Sequence, residues 1–102
     1  DLVASHNDLK PENVVFDGLT PWMVDFEAAG LNDRYVDLSV VSNFFVPDES
    51  EDTFLGEYFG RPPTLDELAR FTVTRQLVHV AYAALIGLLT ARSGMPLRTP
   101  EE

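Results

Sequence analysis

The chain has 102 residues, with 7 Lys+Arg against 17 Asp+Glu for a net charge of −10, and no cysteine. The length allows one small domain, and a hydrophobic content of 45% is too high for a disordered acidic tail. With Lys10 the only lysine, there is no clustered basic surface for nucleic-acid phosphates or an anionic membrane. The acidic balance suits a cationic small molecule or a divalent metal instead. Without cysteine neither a disulfide framework nor a Cys-ligated zinc can form, and a cytoplasmic location is expected.

Residues 5–13 are polar and include Pro11, so they read as a loop. Apolar runs at 14–16 and 22–26, separated by the Asp17-Gly18 turn signal, predict a hairpin over roughly 14–26. Residues 28–34, with Gly30, Asn32 and Asp33, read as a loop. Asp37 is placed to cap a helix over about 38–45, which Val46-Pro47 stops. The acidic residues of 48–52 favour a second helix start, Phe54, Leu55, Tyr58 and Phe59 recur at helical spacing, and Gly60 suits its end. Arg61-Pro62-Pro63 is a stiff connector. Thr64 with Glu67 forms a capping box for a last helix reaching about residue 91.

The second half of that helix, 77–89, is apolar apart from His79. Its 13 residues fall short of the roughly 20 that a bilayer needs. A helix apolar on every side is otherwise a core helix, and His79 on it reads as a hydrogen-bonded core histidine. So short a chain offers little to bury such a helix, which implies further neighbours or self-association. Residues 93–102, with Pro96 and Pro100, read as a loose tail after a folded unit of 1–92. The polar, motif-like stretch begins at Ser5, with no initiator Met before it, and the expectation is a segment of a longer protein.

Four polar side chains stand out: Asp8, Asn13, Asp25 and Glu27. Asp8 and Asn13 lie five apart in a loop, and Asp25 and Glu27 lie two apart at an expected strand end, where they would share one face. A hairpin between them brings both groups to one edge. Oxygen donors of these types suit hard divalent cations, and a further carboxylate can orient or take a substrate proton. The bland reading of the same residues is a solvated acidic surface.

The order His6-Asn7-Asp8-Leu9-Lys10-Pro11-Glu12-Asn13, then Val24-Asp25-Phe26-Glu27, resembles the kinase pair H-R-D-x-x-x-x-N and D-F-G. Asn7 stands in place of the Arg and Glu27 in place of the Gly. In both respects the chain is similar to the aminoglycoside phosphotransferase and choline/ethanolamine kinase superfamily. The stretch from Gly30 through Asp37 is similar to the choline kinase branch. The resemblance implies an α+β, mainly helical fold: part of a protein-kinase-like C-lobe, with a catalytic-loop hairpin followed by three helices. It implies ATP-dependent phosphorylation of an alcohol group on a choline-like, amino-alcohol or aminoglycoside substrate. Asp8 would be the catalytic aspartate, and Asn13 and Asp25 would hold the Mg²⁺ that bridges the ATP phosphates. His6 would brace the loop, and Asp37 would anchor it from beneath. Lys10 matches a lysine that many protein kinases carry near the transferred phosphate. Glu27 would approach a metal or a cationic substrate.

Each residue also has a plainer reading. Lys10 and Glu12 suit solvated surface, Asp37 suits a simple N-cap, and Trp22 suits packing on the hairpin. Tyr35, Phe44, Phe45, Tyr58 and Tyr82 supply candidates for a cage around a quaternary ammonium, with Tyr35 the tentative substrate residue; the same aromatics also suit a core. A protein-kinase segment is an alternative, but only 11 residues separate Asp25 from Asp37 and no Ala-Pro-Glu follows. A non-catalytic kinase-derived interaction or oligomerisation module is another; Asp8, Asn13 and Asp25 argue against it. The sequence holds no G-x-G-x-x-G and no lysine but Lys10, so the ATP-covering lobe is expected outside it. The chain alone is expected to be inactive and to form a homo-oligomer.

Overall fold

The computed structural model describes residues 2–94. Two small antiparallel sheets precede three helices. Strand β1 (Leu2–Ser5) pairs with β4 (Gly30–Asp33), Ser5 opposite Gly30 and Leu2 opposite Asp33. Strand β2 (Val14–Phe16) pairs with β3 (Pro21–Met23), Val15 opposite Trp22. The hairpin is thus shorter than the apolar runs suggest. Asp25 has φ +61, which ends the extended backbone before Phe26, so Asp25 and Glu27 do not share a strand face. Residues 30–33 form a strand rather than a loop, because β1 supplies a ladder partner from far along the chain.

The hairpin turn is set by one carboxylate. Asp17 Oδ1 accepts the backbone N–H groups of Leu19 (2.8 Å) and Thr20 (2.7 Å), while Oδ2 accepts the Trp22 indole N–H at 2.9 Å. Trp22 remains exposed, so its indole is tied to the turn and not packed in a core.

Helix α1 (Arg34–Phe45) starts one turn earlier than expected. Its N-cap is Asp33, whose Oδ1 accepts from the Tyr35 N–H at 2.9 Å. Asp37 therefore lies within the helix and is no cap. Tyr35, Leu38, Ser39 and Ser42 are buried at the i, i+3, i+4, i+7 spacing of one helix face. Helix α2 (Glu51–Phe59) follows a 3₁₀ turn (Asp48–Ser50) and ends at Gly60, whose φ of +70 makes glycine the natural residue there. Helix α3 (Leu65–Ser93) opens with the expected capping box, Thr64 and Glu67 each bonding the other's backbone. It reaches Ser93 and closes at Gly94; the remainder of the expected tail, residues 95–102, lies outside the described residues.

Leu55 of α2 and Phe71 of α3 are fully buried and join Tyr35 and Leu38 in the core, with Phe54, Phe59 and Leu68 packed around them. Glu51 and Arg75 form an ion pair between α2 and α3. Arg61 grips Glu67 in a two-bond fork at 2.7 and 2.8 Å, which holds the Glu67 carboxyl down to about 2. The core ends early on α3. Val73, Leu77, Val80, Leu85, Ile86, Leu88 and Leu89 are all at least half exposed. His79 is exposed too, which overturns its reading as a core histidine. The 13-residue length argument also fails, since α3 is one 29-residue helix, long and apolar enough by length and composition to cross a bilayer.

Two outcomes test this account. The Ser39 Oγ is fully buried with no hydrogen-bond partner among the described residues. Ser39→Ala is therefore expected to raise stability by about 1 kcal/mol in urea unfolding. The bonds from Trp22, Thr20 and Leu19 lower the Asp17 carboxyl from 3.8 to about 2. A depressed folded-state value means stabilisation present above 3.8 and lost as pH falls through about 2. The fluorescence of Trp22, the single tryptophan, is expected to titrate with a midpoint near 2, and Asp17→Asn is expected to abolish that transition.

Candidate active site

The loop between β1 and β2 is fixed to α1 by Asp37. Its Oδ2 accepts the His6 backbone N–H at 2.8 Å and its Oδ1 accepts that of Asn7 at 2.9 Å. Two successive N–H groups can converge on one carboxylate because Asn7 turns left-handed, at φ +72. Asparagine tolerates that conformation better than most side chains. The Asn7 side chain then ties down the far side: Nδ2 donates to the Ala28 carbonyl and Oδ1 accepts from Asn32 Nδ2, both at 2.9 Å.

His6 is buried. Its Nδ1 accepts the Asp8 N–H at 3.1 Å, so the other nitrogen, Nε2, carries the hydrogen and donates to the Val24 carbonyl at 2.8 Å. The Phe26 ring packs on the imidazole at 4.6 Å. One side chain thus joins the backbone of Asp8 itself to the residue before Asp25.

Asn13 closes the arrangement. It is buried at the end of a 3₁₀ turn (Pro11–Asn13) that Pro11 starts. Its Nδ2 donates to the Asp8 carbonyl at 2.8 Å and to Asp8 Oδ2 at 3.1 Å. Both partners are acceptors, so the amide orientation is determined, and Oδ1 is left as an oxygen with no partner among the described residues. The Asn13 carbonyl accepts the Val24 N–H at 2.9 Å, which brings the backbone next to Asp25 against Asn13. Asp25, exposed and left-handed, makes no side-chain bond among the described residues. Lys10 Nζ stands 3.9 Å from Asp8 Oδ2.

The structure therefore gathers Asp8, Lys10, Asn13, His6 and Asp37 in one network, with Asp25 at its edge. Glu27 is exposed and outside it. Tyr35 is buried in the core, where burial and then the Glu67 charge push its phenol up. It lines a cleft with Asp33, Phe59 and Arg70. Among the other aromatics, Tyr58 stacks edge-on with Phe59. Phe44 meets Tyr82 in the same way, at 5.9 Å. Burial raises the Tyr82 phenol, followed by the negative charges of Asp8, Glu12 and Asp37, so α3 carries this ring to the acidic side of the loop. A cavity of about 470 Å³ beside His6 and Asp37 is walled by Leu9, Met23, Phe26 and Leu31. A cleft of about 740 Å³ lies against α2 and the connector 60–63. Asp8, Asn13 and Asp25 line neither.

Sequence reasoning missed the Asn7–Asn32 link and the Val24 carbonyl as the histidine's partner. The left-handed preference of asparagine was the available signal for the first. The second is a backbone atom and leaves no mark in the sequence.

An acid and an amide locked together on one loop, with a second acid across a hairpin, is an arrangement suited to phosphoryl transfer, where positioning dominates. Residues 1–71 match the phosphotransferase enzyme family, and the chain belongs to that family. No curated protein and no solved structure matches it.

Asp37→Ala leaves the His6 and Asn7 N–H groups without their acceptor. It is expected to cost about 1–3 kcal/mol and to speed amide hydrogen exchange at those two residues first. Asp37→Asn, which keeps one acceptor oxygen, is expected to fall between Ala and the parent residue.

Proposed function

We propose that this chain is the catalytic-loop part of an ATP-dependent small-molecule kinase, which phosphorylates an alcohol group on a cationic choline-like, amino-alcohol or aminoglycoside substrate. The observation that carries the reading is the Asn13 amide turned onto Asp8 while its backbone holds Val24, one residue before Asp25. In a family of phosphotransferases, that junction is where acid and metal-binding groups need a common frame.

Among the described residues no group of three or more His, Cys, Asp or Glu could hold a metal ion. Mg²⁺ does not need one. It keeps several waters and is bound through one or two protein oxygens together with substrate phosphates. Asn13 Oδ1, without a partner among the described residues, and the Asp25 carboxylate fit that demand, so these two would hold Mg²⁺, which when bound would offset the charge on the ATP phosphates. Asp8 orients the substrate hydroxyl and accepts its proton, with its own direction set by Asn13 Nδ2 and by the His6-bound backbone. Lys10 balances the Asp8 charge. The exposed Glu27 adds to an acidic approach for a cationic substrate. We place the protein in the cytoplasm, on its lack of cysteine.

The lone lysine and the absence of a glycine-rich loop support two further expectations. The ATP-covering groups come from outside these residues, and the segment alone turns over no ATP. The uncovered apolar half of α3 supports self-association into a homo-oligomer.

Phosphorylation of choline, ethanolamine and an aminoglycoside by the protein that carries this segment, with Mg²⁺ and ATP, tests the reading. Turnover of at least one is expected. Asp8→Ala is expected to lower kcat by about 10²–10⁴-fold, and unchanged turnover in that variant overturns the assignment. In the segment itself, Mg²⁺ is expected to shift Trp22 fluorescence, and Asp25→Ala is expected to remove the shift.

A further inference from the structure

The face of α3 that points away from the core carries a pattern. Val73, Leu77, Val80, Ala84, Gly87 and Ala91 follow one another at alternating steps of four and three, which places them on one stripe. Phe71, Arg75, Val78 and Tyr82, which are buried or half-buried, lie on the opposite side; of the stripe itself only Gly87 is half-buried. The stripe is uncovered: Val73, Leu77 and Val80 are 59%, 64% and 67% exposed. From Gln76 to Ala91 the helix carries no Asp, Glu, Lys or Arg, a length of about 24 Å.

Size along the stripe is polarised. Its first half is large and its second half is small. Val73 and Ala91, Leu77 and Gly87, and Val80 and Ala84 all share one midpoint, at the level of Tyr82. An antiparallel copy of the same helix, centred there, sets each large side chain against a small one. Gly87 is a second, independent sign. A Cβ built on it meets nothing within 4 Å, so no contact among the described residues asks for glycine. Glycine inside a helix is unfavourable by about 0.5–1 kcal/mol relative to alanine. The notch at Gly87 matches Leu77 of a second copy. A parallel pair would set the acidic first turns, with Asp66 and Glu67, side by side on two chains of net charge −10. The antiparallel pair separates them and opposes the two helix dipoles.

We propose that the occupant of this stripe is a second copy of the chain, joined by an antiparallel α3–α3 contact in which Leu77 of each protomer seats in the Gly87 notch of the other. The contact is isologous, so it closes as a two-fold dimer. It deepens the self-association proposed above and is independent of the phosphotransfer reading. The stripe begins at Val73, beyond the family-matched segment. Leu85, Ile86 and Leu89 lie off the stripe and are not used.

Sedimentation velocity of the chain, with helicity followed by circular dichroism, tests this. The parent chain is expected to be a dimer. Gly87→Leu, which the open space at that position allows to fold, is expected to weaken the dimer by about tenfold or more, as is Leu77→Ala. The double variant L77A/G87L reverses the knob and the notch together and is expected to regain most of the lost affinity. Only the antiparallel register predicts that rescue. A dimer indifferent to Gly87→Leu overturns the surface but leaves self-association standing, and a monomer overturns both. A chain that is monomeric alone and floats with phosphatidylcholine vesicles assigns the stripe to a membrane and overturns the proposal.

Discussion

Two oxygens of one side chain hold the loop in its shape. Asp37 sits in the first turn of α1 and receives the N–H groups of His6 and Asn7. Both donors are in a loop without a ladder partner, and a buried N–H left unpaired is costly. Once they are fixed, the His6 ring reaches the Val24 carbonyl and the Asp8 N–H. Asn7 reaches Ala28 and Asn32, and Asn13 reaches Asp8. The left-handed backbone at Asn7 and Asp25 is conformationally costly, and it is retained at the two corners where the network turns.

The acidic residues divide by what they touch. Asp17, Asp33 and Asp37 accept backbone N–H groups and so build a turn, a helix start and a loop. Glu51, Asp66 and Glu67 pair with arginines. Asp25 and Glu27 have no such partner among the described residues. A net charge of −10 is therefore not one property. Part of it is spent on architecture, and part stays available where the family's chemistry is expected.

Much of this was legible beforehand. The hairpin, the three helices, the capping box at Thr64 and Glu67, and the glycine end of α2 all follow from local chemistry that involves neighbours a few residues apart. The errors share a cause. β4 has the composition of a loop, and its partner β1 lies some thirty residues away. Asp37 suits a cap by residue type alone, but the helix starts earlier, where Asp33 accepts the Tyr35 N–H, and that start depends on the β4 strand before it. Asp25 and Glu27 share one face only on an extended backbone, which the left-handed Asp25 breaks. An apolar helix buries His79 only where covering surface exists, and here His79 is exposed. Asp8 and Asn13 meet because the short loop between them turns at Pro11.

The same pattern orders the events of folding. The β2–β3 hairpin joins residues close in sequence, and its turn is held by Asp17 from within. By contrast, β1–β4 pairing and the Asp37 bonds must close a segment of some thirty residues. Closure of the longer segment costs more chain entropy and is slower. The hairpin is thus able to form before the loop that it serves, and it shortens the effective distance for that closure. The loop bearing Asp8 and Asn13 then sets late, as the last step of a zipper whose first tooth is Asp17.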